Sequence, residues 1–525
     1  MLFIYSVSPY NLLSFKKRKD IIMSLGQRTF EGEVPRLTKW LYTTSGMFRD
    51  ASYQFVSLFL LTFVQFFALG NVSFEEYLQM YSVITIIIIV LRVWDGINDP
   101  IMGFIIEKCR FKSGKYRPFI WIGAVLNSIV TICMFWIVPT GWWYVLCFGI
   151  FYFLWDFTYT INDIAFWSVL PSLSQKEQVR ANLTTLLSVF ISIGTFAVGG
   201  VVPLLASGNQ GPVYQITAVV TSILFALSQI ILAIFMKEKK VDEVVEQKDE
   251  KMKFKEIFTV MIKNDQLRVT IIAILLFYTG SSILTAAGLN YFYFNFGYKD
   301  GGTYQLYFTI VFALATLLGQ SLYPLLVNKL KLSKMKVFTI SSIVTMVSYI
   351  FLFLFVFLGS QELYVQYFWA LCLFGFTAFF GQTLISLIIY IMIQDTIDYN
   401  EYRFGERRES SIFSLRAFTA KIASSVQQLI LYGFLFASSL LTVSNQIANF
   451  ERQFEGEKDI ILENVTPLIE GIEQWQRVIF HIGFTIVPLV LFVLTFLLIR
   501  FRYTITETRH ADMVEEIQRR KGIKG

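Results

Sequence analysis

The sequence predicts an all-α membrane protein, with twelve transmembrane helices arranged as two six-helix bundles. Three observations lead there. Of 525 residues, 55% are hydrophobic and only 16% charged, with 53 phenylalanines, whereas a soluble domain needs more polar groups to cover its surface. Apolar runs recur about every 30 to 40 residues, most of them long enough to cross a bilayer core as a helix. The loops between them alternate in charge, the pattern that fixes topology in a bilayer.

The spans are predicted at 46–70, 77–105, 118–138, 141–172, 181–206, 213–237, 267–294, 303–328, 335–358, 362–393, 411–441 and 475–501. Several exceed the roughly 20 residues a bilayer core requires, so tilt or extension past the lipid is expected. Basic residues follow the even spans: Lys108, Arg110, Lys112, Lys115 and Arg117; then Lys329, Lys331, Lys334 and Lys336; then Arg403, Arg407 and Arg408. Loops after odd spans are short, or acidic in the case of 442–474, which holds Glu451, Glu455, Glu457, Asp459, Glu463, Glu470 and Glu473. Positive loops stay inside, so both termini are expected in the cytoplasm, on a cell (plasma or inner) membrane.

Residues 1–44 read as a cytoplasmic tail, with Met23 as an alternative start. Leu2 to Phe15 is weakly apolar and is followed by Lys16-Lys17-Arg18-Lys19, the reverse of the charge order in a signal peptide. Cys109, Cys133, Cys147 and Cys372 form no metal-spaced set and read as small hydrophobes rather than disulfides. His481 and His510 are the only histidines, too few for a histidine metal centre. The net charge of +7 is accounted for by the basic loops and not by a nucleic-acid partner. No cofactor and no catalytic residue is expected, and the functional unit is expected to be a monomer.

The longest break lies at 238–266, between an N-terminal bundle (45–237) and a C-terminal bundle (267–502), with a second cytoplasmic tail at 503–525. It opens with a charged run, Lys237 to Lys253, expected as solvated linker. Phe254, Ile257, Phe258 and Met261 then recur at helical spacing, which predicts a short amphipathic helix on the membrane surface. Each half turns after its second span in a short basic segment, Gly114-Lys115-Tyr116-Arg117-Pro118 and Lys329 to Lys336. Each also ends its fourth span in charged residues, Lys176, Glu177 and Arg180 against Asp395, Asp398, Glu401, Arg407 and Arg408. Two parallel six-helix halves fit the major facilitator architecture, with a substrate site between them near the midplane.

Charges within the spans carry the functional information, since each costs about 2.5–3.5 kcal/mol on insertion scales. In span two, Asp95 and Asp99 are one helical turn apart on one face, with Asn98 at its edge. Two carboxylates and an amide oxygen make a hard oxygen site suited to Na⁺, Li⁺ or a proton. The structural alternative is that Arg92 merely neutralises Asp95. In span four, Asp156, Thr160, Asp163 and Trp167 form one stripe. A carboxylate accepts sugar hydroxyls while an indole covers the C–H face of the ring; the alternative is a packing stripe, which is costly for Asp163. Arg49-Asp50 opens span one near the cytoplasmic end and can pair there. Lys421 lies mid-span on span eleven, on a face shared with Ser410, Ser414, Ser425 and Gln428, and needs an acidic partner from Asp50, Asp95, Asp99 or Asp163. Gln382 is polar packing or a substrate hydrogen bond, weighed evenly.

These segments resemble a known family. Arg92-Val-Trp-Asp95-Gly-Ile-Asn98-Asp99-Pro100-Ile-Met-Gly103, Gly114-Lys115-Tyr116-Arg117-Pro118, Tyr159-Thr160-Ile-Asn162-Asp163-Ile-Ala-Phe166-Trp167-Ser168-Val-Leu-Pro171 and Asp395-Thr-Ile-Asp398-Tyr399-Asn-Glu401-Tyr402, followed by Arg408-Glu409-Ser410 and Lys421, look like the glycoside–pentoside–hexuronide:cation symporters, the melibiose permease-like branch of the major facilitator superfamily. The motifs cover about residues 40 to 505, in order. The resemblance implies symport of a sugar or glycoside with Na⁺, H⁺ or Li⁺. It implies a cation site of Asp95, Asn98, Asp99 and Thr160, with Asp95 and Asp99 holding the Na⁺ or H⁺. It implies a sugar site of Asp50, Asp163, Trp167, Arg49 and Tyr159, with Lys421 at the substrate site and linking the halves near the cation. There are departures: Ser188 stands where an arginine ligand is expected, Arg416 where a glutamine is, and 442–474 is not a melibiose-permease feature. Two rivals remain. One is cation-coupled transport of a lysolipid or similar amphiphile on the same fold. The other is a membrane prenyltransferase, which Asn98-Asp99 and Asn162-Asp163 suggest but which lacks the further aspartates that would hold Mg²⁺.

Overall fold

A computed structural model describes residues 29–30, 34–109, 111, 114–173, 177–236 and 254–520. Arg110, Lys112, Lys176, most of the N-terminal tail and the charged run 237–253 lie outside the described residues. A short hairpin pairs β1 (Thr29–Phe30) with β2 (Val34–Pro35). From there the chain is helical: α1 (Arg36–Phe63), α2 (Phe74–Lys108), α3 (Arg117–Trp136), α4 (Trp142–Leu173), α5 (Glu177–Ala206) and α6 (Gln210–Phe235). After α7 (Phe254–Lys263), where the amphipathic segment was expected, come α8 (Asp265–Ala286), α9 (Gly288–Phe296), α10 (Tyr298–Pro324), α11 (Lys334–Leu354), α12 (Gln361–Gln366) and α13 (Phe368–Phe404). The chain continues through α14 (Glu409–Ala437), α15 (Leu440–Gln453), α16 (Lys458–Glu470), α17 (Gln474–His481), α18 (Val487–Arg502) and α19 (Glu507–Arg520).

Local chemistry sets these limits. Ser73 caps α2 through Glu76 N, with Glu75 and Glu76 in the first turn, where carboxylates complement the helix dipole. Asn264 accepts from Leu267 N at 2.9 Å to start α8. A capping box of Glu473 and Gln476 starts α17. Gly405, at φ 74°, ends α13 in the left-handed region that glycine adopts without strain.

Among the described residues, eleven helices are long and apolar enough to cross a membrane. The twelfth is α14 taken together with α15, which turns away from it by 90°. Helices α1 to α6 pack among themselves, chiefly α1 on α5 and α6, and α3 on α4 and α6; α8 packs on α14 and α18, and α13 on α10 and α11. The two groups meet where α5 lies on α10 and α2 on α14.

Four boundaries differ from the sequence expectation. Span one begins ten residues early, at Arg36, because polar Thr38, Thr43 and Ser45 are buried against neighbouring helices rather than left in a tail. Span seven breaks at Ala287, and its last part is the separate helix α9. Span ten starts later and runs on to Phe404, so Asp395, Asp398 and Glu401 stand on a helix and not in a loop. Their charges are met within the C-terminal half: Asp395 pairs with Lys334 and accepts from Tyr503 Oη at 2.8 Å, and Arg407 lies 2.8 Å from Asp398 and 2.9 Å from Glu401. Finally, the acidic segment 442–474 is mostly the helices α15 and α16.

Candidate functional site

Two charge clusters form where the sequence analysis placed functional residues. The first is built on α1 and α4. Arg49, 1% exposed, lies 2.7 Å from Asp50 Oδ2 and 3.1 Å from Asp163 Oδ1. It therefore does not simply pair with its neighbour at the helix end; it bridges two helices. The Asp163 contact is not aligned as a hydrogen bond, which leaves Arg49 Nη1 with donor capacity. The guanidinium stacks 4.3 Å from the Phe166 ring and 5.3 Å from that of Trp167. The Asp163 side chain is 38% exposed and Trp167 is 37% exposed, so both can be reached by a ligand. Tyr159 packs its ring 4.6 Å from Tyr53 on α1.

The second cluster joins α2 to α14. Lys421 Nζ lies 2.9 Å from Asp95 Oδ1 and 2.5 Å from Asp99 Oδ2, so of its four candidate partners it takes the two on α2. This places Lys421 among the carboxylates expected to hold the cation, apart from Asp50 and Asp163. Arg92 donates to Tyr53 Oη at 3.2 Å, while the Asp95 ion pair goes to Lys421. Asn98 is 1% exposed, and neither its amide oxygen nor its nitrogen has a partner. A buried polar group in that state costs about 1–3 kcal/mol, and a cation held by Asp95 and Asp99 would relieve it at the amide oxygen. Thr160 Oγ1 is buried and donates to Asp156 O at 3.0 Å, leaving its lone pairs for a cation. Among the described residues no three His, Cys, Asp or Glu side chains gather as a metal centre. A cation here would thus combine two carboxylates with neutral oxygens.

Asp156 is a residue that the motif reading left aside. It is buried, its Oδ2 has no partner, and it lies within electrostatic reach of Asp95, Arg92, Lys421 and Asp99. Its place one turn before Thr160 on the same stripe was the available signal. Ser188 is exposed and donates to Thr184 O at 2.9 Å. Arg416 stacks 4.8 Å from the Tyr390 ring. Gln382 is buried and donates to Tyr349 Oη at 3.0 Å, a contact of the kind the packing reading expects.

At the end of the molecule that carries the odd loops, hydrogen bonds tie the two groups of helices together. Gln65, in a π-helical turn that ends α1, donates to Asn290 Oδ1 at 2.7 Å and Ser444 Oγ at 2.9 Å. Asn71 N donates to Asn449 Oδ1 at 2.7 Å, and Arg452 to Val138 O at 2.8 Å. Glu451, 1% exposed, accepts from Gln210 N at 2.9 Å and from Tyr298 Oη at 2.6 Å. Helix α15, predicted as part of a loop, is thus a strap across the closed end.

Comparison with known proteins bears on the family and the fold. The family model described as "MFS/sugar transport protein" matches residues 49–507. The raffinose carrier protein of Pediococcus pentosaceus is 27% identical over 398 residues, covering 72% of this chain and 58% of the carrier. The lactose permease of Leuconostoc lactis is 27% identical over 468 residues, 84% of this chain and 65% of the permease. The chain thus spans about three-fifths of the length of these curated relatives. The isoprimeverose transporter of Lactiplantibacillus pentosus is 23% identical, covering 83% of this chain and 86% of that one. Among solved structures, a bacterial homologue of the lysosomal transporter Spinster, inward-facing and unoccupied, superposes with a TM-score of 0.59 at 12% identity, covering 89% of this chain and 98% of that one. A D-xylose–proton symporter gives 0.56 at 13% identity, over 80% and 96%. At such identities the structural likeness concerns the fold alone.

Proposed function

This chain belongs to the MFS/sugar transport protein family, and we infer from that membership and from its two charge clusters that it is a symporter, carrying a sugar or glycoside together with a monovalent cation, Na⁺ or H⁺, by alternating access. It acts as a carrier and not as an enzyme. The observation that supports this best is the charge count. Asp95 and Asp99 face the single ammonium of Lys421, and Asp50 and Asp163 face the single guanidinium of Arg49. Each cluster carries one formal negative charge in excess. At the Lys421 cluster, one monovalent cation or proton balances the excess, with the unpartnered Asn98 amide oxygen and the Thr160 hydroxyl as further oxygens. At the Arg49 cluster, the spare acceptors take sugar hydroxyls, Arg49 donates to a ring or hydroxyl oxygen, and Trp167 covers the apolar face of the ring.

Positive loops support a topology with the basic face and both termini on the cytoplasmic side of a cell membrane. The tied end is then the outer one, and the form described here is closed to the outside. Because Lys421 joins α14 to α2, an entering cation competes with the bond that holds the halves together. Loading the site therefore changes the energy of their rocking. Coupling is reciprocal: the sugar raises cation affinity by the factor by which the cation raises sugar affinity.

The test is uptake of labelled glycosides into proteoliposomes, with and without an inward Na⁺ or H⁺ gradient. Accumulation of one glycoside under one gradient is the expected result and names both ligands. Absence of accumulation under either gradient would overturn the sugar reading, and lysolipids would be assayed next.

A further inference from the structure

A groove of about 490 Å³ lies between α10, α11 and α13, walled by the C-terminal half alone. Helices α10 and α11 each pack on α13. The groove runs between them, with Leu322 and Leu326 on one wall, Ile340 and Val344 on the other, and Phe380 and Leu384 as the floor. Its origin is local. Pro324 has no N–H to donate, and a π turn follows it at Leu325–Lys329; these are two of the irregularities that turn a helix aside. Leu332 N then donates to Leu326 O at 3.2 Å, so the loop folds back against the end of α10. On the floor, a Cβ at Gly381 would lie 2.3 Å from Thr345 Oγ1, so the missing side chain lets α13 sit close on α11.

The lining is apolar but for Lys329 and Ser341. A sugar would find too few partners there for its hydroxyls, whereas an acyl chain needs none. Leu322, Leu325, Leu330 and Ile340 are exposed, on membrane helices or at their ends, so the groove is open to hydrocarbon from the bilayer. Its polar end is basic. The acids that reach this loop are turned to Lys334: Asp395 pairs with its ammonium, and Glu507 accepts from its backbone N. Lys329, Lys331 and Lys336, all exposed, are left with no acidic partner among the described residues. On the topology proposed above this loop meets the cytoplasmic leaflet, whose surface is negative. Leucine walls alone would not select a lipid, since lipid tails are as apolar as Leu. The lysines supply the selection, each worth about fivefold in affinity beside an anionic headgroup.

We propose that this groove is a binding site for an anionic phospholipid of the cytoplasmic leaflet, with one acyl chain lying between α10 and α11 and the phosphate headgroup against Lys329 and Lys331. The site is separate from both charge clusters and does not depend on which solute the carrier moves.

Native mass spectrometry of the purified full chain tests it, by titration with phosphatidylglycerol and with phosphatidylcholine of the same acyl chains. The expected result is that the first lipid bound is held on the order of tenfold more tightly when it is phosphatidylglycerol. In the double variant Lys329→Gln/Lys331→Gln, and separately in Val344→Trp, which fills the groove, that preference falls below about threefold. In Lys263→Gln, at an exposed lysine that ends α7 outside the groove, the preference is kept. The two replaced lysines are exposed, so the double variant keeps the test valid if Val344→Trp fails to fold. Equal affinity for the two lipids in the unmodified protein, a preference that survives in either groove variant, or an equal loss in Lys263→Gln would overturn the site. So would a dimer forming in place of the bound lipid, which would give this face to a second copy of the chain.

Discussion

Removing the Glu451 carboxylate should loosen the closed outer end. The bond from Tyr298 Oη stays within the C-terminal group of helices, whereas those from the backbone of Gln210, at 2.9 Å, and of Gly208 cross between the groups and must break when the outer end opens. Only the crossing bonds stabilise the closed form relative to the open one. With the assay at about pH 8.5, so that the carboxylate is ionised, a hydrogen bond to the charged group is worth about 1.5–3 kcal/mol, and Glu451→Ala should move the equilibrium toward the outward-open form by about 10- to 150-fold. Glu451→Gln keeps an amide oxygen that can accept from Gln210 N. A neutral bond is worth about 0.5–1.5 kcal/mol, so it should lie between the two. The assay is the distance between spin labels at positions 143 and 369, in a background without the four native cysteines. Trp143 and Trp369 are 70% and 74% exposed and lie in the first turns of α4 and α13, at the tied end. The expected result is a longer distance whose population grows from wild type through Glu451→Gln to Glu451→Ala. Identical distance distributions in all three proteins would refute the reasoning, because the crossing bonds would then contribute nothing to closure.

The remaining predictions concern the two clusters and one close contact. Asp163→Asn keeps the shape of the site but removes a charged acceptor and the counter-charge of Arg49; sugar affinity should fall by about 10- to 150-fold in equilibrium binding while the protein elutes as the wild type does in size-exclusion chromatography. Asp99→Asn leaves Lys421 balanced by Asp95 alone and removes the excess charge; gradient-driven accumulation should be lost while sugar exchange across equal concentrations survives, and intact accumulation would count against the cation assignment. Gly302→Ala would put a Cβ 2.0 Å from Pro203 O where α10 meets α5. Overpacking of that kind costs about 1–3 kcal/mol and falls on the closed form, so the same spin labels should report more of the open one.

What the sequence made legible depended on the range of the interaction. Span number followed from hydropathy, because a bilayer demands long apolar helices whatever their neighbours are. The spacing of Asp95, Asn98 and Asp99 was readable because helical periodicity puts residues four apart on one face. The choice of partner for Lys421 was not, since four acids on three helices were equal candidates until packing set α14 against α2. The strap was missed for another reason. Seven acids in 442–474 outweighed a clear helical signal, the buried residues Leu440, Leu441, Ser444, Asn445, Ile447, Ala448 and Glu451, which include the i, i+3 and i, i+4 pairs of one helix face. A similar weight on charge ended span ten too early, although Asp395, Asp398 and Glu401 recur at three-residue spacing and so continue the helix.

The two clusters also explain how one event could govern the other. Arg49 and its acids lie wholly on α1 and α4, inside one half of the molecule, whereas Lys421 reaches from the other half to α2. Sugar can therefore engage the first cluster without breaking a bond between halves, but a cation cannot enter the second without weakening one. A cavity walled by Gln54 and Thr195 on one side and Tyr291 and Gln305 on the other adds the opposite tendency, since a ligand that fills it touches both halves at once. A cation that loosens the Lys421 bridge and a substrate that fills this cavity and supplies a new one would together leave the loaded carrier free to rock. Either ligand alone would leave the halves too tightly bridged or too poorly joined. On this arrangement, Lys421→Ala should bind sugar with little dependence on the cation, because the bond through which the cation acts is gone; binding measured with and without Na⁺, and at two pH values, checks this, and unchanged cation dependence would show that coupling runs by another route.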